Sequence, residues 1–332
     1  MDYAKPISSA KFYAGVIGTT LFMTLGFKAL QNKITLEQVS SIITLALSII
    51  LQALPFILIG VLASSLIRLF VREEWIAKFA PGNGLAGVVV GGLLGLFFPV
   101  CDCGVMPVAR SLLRKGVSMQ TTFAYLLTAP VINPLVILAT ALAFQWNWHF
   151  VALRVLGTFV VGAIIAFLVG NLFSPRDFGV TAGKNHHQEH HSQTQTIHEL
   201  FLHAVDEFFD IGGYLIISAF LAAAIQVWLP KGMLFQFVDN PYLAIGAMMI
   251  LAISMSLCSE ADAFVARVLA NQFPLGSVFA FLLIGQILDL RNIVLFSRNF
   301  RMSLFVFIAA ASIILTFLWG LGLNFILGQR IL

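Results

Sequence analysis

The residues best equipped for chemistry lie between positions 97 and 134, in FFPVCDCGVMPVARSLLRKGVSMQTTFAYLLTAPVINP. This stretch holds Cys101 and Cys103, two of the three cysteines, and four of the eleven prolines. Asp102 separates the thiols, and Arg110, Arg114 and Lys115 follow. Thiolates are soft ligands that select thiophilic ions. Two thiols one residue apart reach a common centre on irregular backbone and diverge on a regular helix. Pro99 lies two residues before Cys101 and ends a helix, which favours chemistry over the alternative of small buried hydrophobes. For Cys258 taken alone the hydrophobe is the better reading. Three cysteines are too few for a disulfide framework and read as free thiols, although the CxC spacing also admits a strained local disulfide.

A second set is acidic. Asp102, Glu260, Asp262 and Asp289 lie within or next to apolar segments. A charge at the centre of a bilayer costs roughly 2.5–3.5 kcal/mol on insertion scales, so such residues pair, line a cavity or carry protons. Arg110, Arg267 and Arg291 are the available cations. Asp289 and Arg291 are two apart and do not face each other on a regular helix, so a pairing across the chain is expected. Glu260 and Asp262 also suit the N-cap and first turn of a short helix ending near Ala270. A third set, His186, His187, His190 and His191, has spacings that place several imidazoles near one metal ion; the alternative is a solvated polar linker.

The elements that carry these residues are membrane spans. The chain has 332 residues, 59% hydrophobic and 10% charged, with 31 Phe, against about 25% charged in soluble domains. Its apolar runs are continuous and several approach the roughly 20 residues needed to cross a bilayer, so helices and not a barrel are expected. The net charge of +4 is scattered at span ends and is no nucleic-acid signal. The N-terminus shows no clear cleavage site, so a first span over 12–30 is expected to stay. The run 36–70 is longer than a bilayer needs and is expected to break at Pro55. Residues 84–98 form a helix in which Gly87, Gly91 and Gly95 recur at small-xxx-small spacing, for close helix packing. Residues 100–104 are irregular or a helix N-terminus, and 106–115 a short helix. The span 119–144 is interrupted at 129–134, where Pro130, Asn133 and Pro134 expose carbonyls; at membrane depth this is tolerated only against protein or a wet cavity. Residues 149–173 make a further span and 302–327 the last.

The two halves of the chain are alike. Residues 56–79 lie on 214–237 at an offset of 158, VAR at 108–110 on VAR at 265–267 at 157, and FAYLL at 123–127 on FAFLL at 279–283 at 156. Cys101 then falls on Cys258, Cys103 on Glu260 and Asn133 on Asp289. The expected fold is an all-α polytopic membrane protein of about eight to ten transmembrane helices, in two tandem repeats with broken helices at the centre. The expected divisions are an extra helix at 1–35, a first repeat at 36–173, a polar His-rich linker at 174–197 and a second repeat at 198–332. Such proteins place substrate at the repeat interface.

PVCDCGVMPVARSLLRKG with FAYLLTAPVINPLVIL resembles the predicted-permease family that includes the ArsP arsenic efflux permeases and the YraQ-like proteins. The likeness rests on Pro-x-Cys, Cys-Gly-x-x-Pro and Pro-x-x-Asn-Pro, and extends to SLCSEADAFVAR and GQILDLRNIVLF. It implies an inner-membrane efflux permease for trivalent arsenicals, not an enzyme, with Cys101 and Cys103 as the signature thiols. Cys258, Asn133, Pro130 and Pro134 complete the expected substrate site. Three sulfurs suit the three-coordinate preference of uncharged arsenite; an organoarsenical needs two. No GxxxxGK[ST] loop is present, so uphill export requires proton exchange through Asp102, Glu260, Asp262 or Asp289, or a partner ATPase. No cofactor is expected, and the expected partners are the arsenical, the lipid bilayer and a second copy or ATPase. Two other readings stand beside this one: a transporter of a soft or borderline cation such as Cu(I) or Zn(II), favoured by the histidines, and a membrane subunit that holds a thiol-bound ligand without moving it.

Overall fold

The structure is a computed structural model that describes residues 36–70, 84–97, 100–173, 197–228 and 240–327. The expected first span and the four linker histidines lie outside these residues. Twelve helices are described, and no strand is present among the described residues. They are α1 (Leu36–Phe70), α2 (Leu85–Phe97), α3 (Asp102–Arg114), α4 (Met119–Thr128), α5 (Pro134–Ala143) and α6 (Trp148–Leu172), then α7 (Ile197–Trp228), α8 (Pro241–Met255), α9 (Ala261–Leu269), α10 (Leu275–Ile287), α11 (Leu290–Asn299) and α12 (Met302–Leu327).

The order of long and short helices in α1–α6 recurs in α7–α12, at close to the offset that aligns the sequence halves. The packing recurs with it. The trio α2, α4 and α6 is mutually packed, and so is the trio α8, α10 and α12. Helix α4 is buried along its whole length and α10 nearly so, so each trio has a fully covered middle. Helix α1 packs along α7, and α6 meets α10 and α12, which joins the halves.

Four stretches are long and apolar enough to cross a bilayer: Glu37–Val61, Trp148–Leu172, Leu275–Ser297 and Met302–Ile326. The third runs straight across the gap between α10 and α11, so a single apolar span is here a broken helix. Leu47, Leu51, Leu156, Ile314 and Leu318 are exposed on the outer helices, where lipid covers them. The chain is a multi-pass membrane protein.

Local chemistry sets the breaks. Asn133 caps α5 by accepting from the Leu135 amide at 3.0 Å, with Pro134 in its first turn. Asp289 caps α11 by accepting from the Asn292 amide at 2.6 Å. Each cap uses an amide that has no partner inside its helix. The glycine stripe of α2 also serves as its spacing suggests. A Cβ on Gly95 would stand 2.5 Å from Ala129 Cα, and one on Gly91 would overlap the Thr121 carbonyl. Helix α1 makes the same close approach to α3, where a Gly60 Cβ would lie 2.5 Å from Gly104 Cα.

Two expectations need correction. Helix α1 continues through Pro55. A membrane helix tolerates an interior proline where neighbouring groups take up the freed carbonyl, and α1 is packed on α3 and α7. Helix α3 begins at Asp102, four residues before the expected start, and includes Pro107. Pro107 is the sixth residue of α3, so the amide that would bond the Cys103 carbonyl is missing; as at Pro55, a membrane helix tolerates this where neighbouring groups take up the freed carbonyl.

Candidate functional site

A cysteine stands at the first break, without a side-chain capping bond. Cys101 has extended backbone (φ −83°, ψ 176°) and stands at the N-cap of α3. Its carbonyl accepts from the amides of Gly104 and Val105, both at 3.0 Å. Its side chain is buried against Ala53, Ile57 and Val61 of α1 and Leu215 of α7. Cys103 lies in the first helical turn of α3, and its side chain lies outside the described residues. The two thiols thus hang from different backbone, one extended and one helical, and of the two expectations for residues 100–104 the helix N-terminus is the one found.

The second break is held by side chains from three helices. Ser256, after α8, is left-handed (φ 45°, ψ 49°), a conformation that non-glycine residues adopt at a cost of about 1–3 kcal/mol. Its hydroxyl accepts from the Leu290 amide at 3.0 Å, which ties this break to the start of α11. Three of the freed carbonyls meet side-chain donors. Gln226 of α7 reaches Met255 O at 2.5 Å, Arg291 of α11 reaches Leu257 O at 2.8 Å, and Arg154 of α6 reaches Ser259 O at 2.9 Å. Irregular backbone in a membrane requires such partners, since no bulk water supplies them.

The breaks meet directly. The Ser259 hydroxyl donates to Asp102 Oδ2 at 3.0 Å, and both groups are buried. Positions 102 and 259 are equivalent in the sequence repeat, as are 101 and 258. Cys258 also meets α1: Gln52 Nε2 donates to its Sγ at 2.9 Å. Gln52 adjoins Ala53, which packs on Cys101, so one short stretch of α1 borders the cysteines of both breaks.

The acids divide by partner. Asp262, in the first turn of α9, pairs with Arg154 at 2.7 Å, and both are almost fully buried. Asp289 pairs with Arg291 at 2.9 Å, which corrects the expectation that they could not face each other. Asp289 is the cap, with extended backbone (φ −111°, ψ 170°); outside the helix, the two-residue spacing no longer separates the side chains. Glu260 stands at the N-cap position of α9 without a capping bond. Arg267 lies over the Phe144 ring at 5.9 Å, a cation–π contact in place of an ion pair. Pro130 and Asn133 are buried in the break between α4 and α5, and Pro134 is exposed.

Sequence reasoning missed Arg154, Gln52, Gln226 and Ser259. Arg154 left a signal, as the one Lys, Arg, Asp or Glu inside the 25-residue span Trp148–Leu172. Gln52 and Ser259 left none, since uncharged polar residues are unremarkable in a membrane helix. No group of three or more His, Cys, Asp or Glu side chains with metal-holding geometry occurs among the described residues. An open, mostly apolar groove of about 690 Å³ lies between α2 and α6 and touches the 129–134 break at Ile132; Leu93, His149, Leu156 and Phe159 also line it. With so little polar lining it suits lipid and not the chemistry of the breaks.

The profile of the predicted permease family ArsP_1 matches residues 38–325. A Streptococcus mutans protein, named as the proposed subunit of a two-component membrane permease complex, is 38% identical over 272 residues, covering 81% of this chain and 90% of its own. The UPF0718 protein YcgR of Bacillus subtilis is 39% identical over 275 residues, covering 82% and 93%. The UPF0718 protein YraQ of Escherichia coli is 31% identical over 111 residues, covering 33% and 32%. No solved structure matches the chain.

Proposed function

The chain belongs to the predicted permease family ArsP_1, and on that premise we propose that it exports a trivalent arsenical through a thiol site where its two halves meet. The observation that carries this reading is the Ser259–Asp102 hydrogen bond. It joins the two irregular segments, and each has a cysteine one residue before the bonded position.

The chemistry suits the site. Arsenite is an uncharged trihydroxide at neutral pH. Each thiol that binds it replaces one As–OH by As–S, and the thiol proton leaves with the hydroxyl as water. Cys101 and Cys258 supply thiols on backbone that already departs from helix, and Cys103 supplies one from the first turn of α3. Buried Asp102 lies between two of them in sequence and takes its hydrogen bond from the opposite half. Binding of this kind is reversible by water, which release requires.

A neutral solute gains nothing directly from the membrane potential, so uphill export needs coupling. Asp102, Glu260, Asp262 and Asp289 are the proton-coupling candidates. The relative named for a two-component complex favours a second subunit as well. We place the repeat boundaries at 36–173 and 198–332, with the linker 174–197 between them.

The test is uptake of arsenite and of trivalent methylarsenite into inverted vesicles containing the chain, with and without a pH gradient. Wild type should accumulate one or both, and the Cys101→Ser and Cys258→Ser variants should not. Accumulation by both variants at the wild-type rate contradicts the reading. A subunit that only binds would accumulate nothing in any vesicle.

A further inference from the structure

Arg154 is 1% exposed. Its Nη1 donates to Thr140 Oγ1 at 2.7 Å, and its Nη2 donates to Ser259 O at 2.9 Å and Asp262 Oδ1 at 2.7 Å. Thr140 spends its own proton on Val136 O, so its oxygen is a fixed anchor in the first half. The other two acceptors belong to the second half. The guanidinium still has a spare donor, since Nε has no acceptor among the described residues. A spare acceptor lies close by in sequence: Glu260 Oε1 is buried and has no donor among the described residues. Glu260 follows the residue whose carbonyl Arg154 holds and stands two before the acid it pairs with.

Resting on the transport reading above, we propose that Arg154 is the latch of the transport cycle: it holds Asp262 in the state described here and passes to Glu260 when Asp262 takes a proton from water.

Removing one partner of a buried ion pair leaves an uncompensated charge, which is strongly unfavourable. A second carboxylate beside the first removes that penalty, so the proton can be accepted without stranding the cation. The Ser259 carbonyl is held by the same Nη2, and the Ser259 hydroxyl bonds Asp102. Transfer of the guanidinium therefore acts on the bond that joins the two breaks. Helices α5 and α10, which pack on α9, carry no charged side chain. The cation of α9 itself, Arg267, lies over Phe144. Asp102, bonded to the Ser259 hydroxyl, and Arg291, bonded to the Leu257 carbonyl, are the other charged groups at this break. Arg154 is thus a positioning residue: it acts on the substrate site through Ser259.

The test is hydrogen exchange, read by mass spectrometry on the full chain in lipid nanodiscs without any solute, in acidic and alkaline buffer and corrected for intrinsic exchange. In wild type, amides 256–260 should exchange faster in acid by about tenfold, within the usual range of coupling between sites. Asp262→Asn should exchange fast in both buffers, and Glu260→Gln slowly in both. A pH response retained by Asp262→Asn, or by the charge-free Arg154→Gln/Asp262→Asn pair, overturns the latch, as does a wild-type response in Glu260→Gln or none in wild type. This readout uses no arsenical. If exchange follows the pattern but vesicles move no arsenical, the substrate assignment falls and the latch stands.

Discussion

Arg154 occupies a membrane span and is compensated there by one carboxylate and two neutral oxygens. Replacing it by Gln leaves Asp262 buried without its ion pair, and breaking such a pair costs about 3–5 kcal/mol. Arg154→Gln should therefore lower the thermal midpoint in detergent strongly, and adding Asp262→Asn should restore much of the loss. Equal midpoints for the single and double variants would mean that the pair contributes nothing. At Cys258 the prediction concerns reactivity. Gln52→Leu removes the amide that donates to Cys258 Sγ, so maleimide labelling of Cys258 in membranes should quicken. Unchanged labelling would show that the amide does not cover the sulfur.

At the scale of elements, close packing is the testable feature. Helix α2 lies on α4 through glycines, and a side chain at Gly95 would collide with Ala129 Cα, which is backbone and cannot swing away. Gly95→Val should destabilise by at least the 1–3 kcal/mol or so that overpacking costs. Gly246, inside α8 with nothing within 4 Å of its would-be Cβ, is the internal comparison: Gly246→Ala should be neutral or stabilising by about 0.5–1 kcal/mol. The two should separate clearly in unfolding by denaturant, and similar losses would contradict the packing described. Much of this was legible in the sequence. The small-xxx-small stripe and the interruption at 129–134 follow from local rules about glycine and proline. Pro55 misled, because tertiary packing decides whether a membrane helix survives a proline. Asp289 and Arg291 misled because the helical spacing rule holds only inside a helix, and Asp289 is one residue outside it.

At the scale of the molecule, the duplicated order of elements brings equivalent positions of the two halves into contact. Ser259 and Asp102, 157 residues apart, lie at matching places in the repeat. The sequence showed the repeat but not the contact, since which equivalent positions touch depends on how the halves dock. It also hid the donors that hold the second break, because Gln226, Arg291 and Arg154 come from three different helices. Disconnecting the breaks should disable transport without removing either thiol. Ser259→Ala is expected to abolish arsenical uptake into inverted vesicles while the protein still inserts, and uptake at the wild-type rate would leave the Asp102 bond without a role.

The central claim is that sulfur from both halves binds one solute. X-ray absorption at the arsenic edge on purified protein loaded with arsenite counts its sulfur neighbours. Arsenic–sulfur scattering should appear in wild type and lose amplitude both in Cys101→Ser, in the first half, and in Cys258→Ser, in the second. Oxygen-only scattering in wild type, or full sulfur amplitude in Cys258→Ser, would contradict a site shared between the halves.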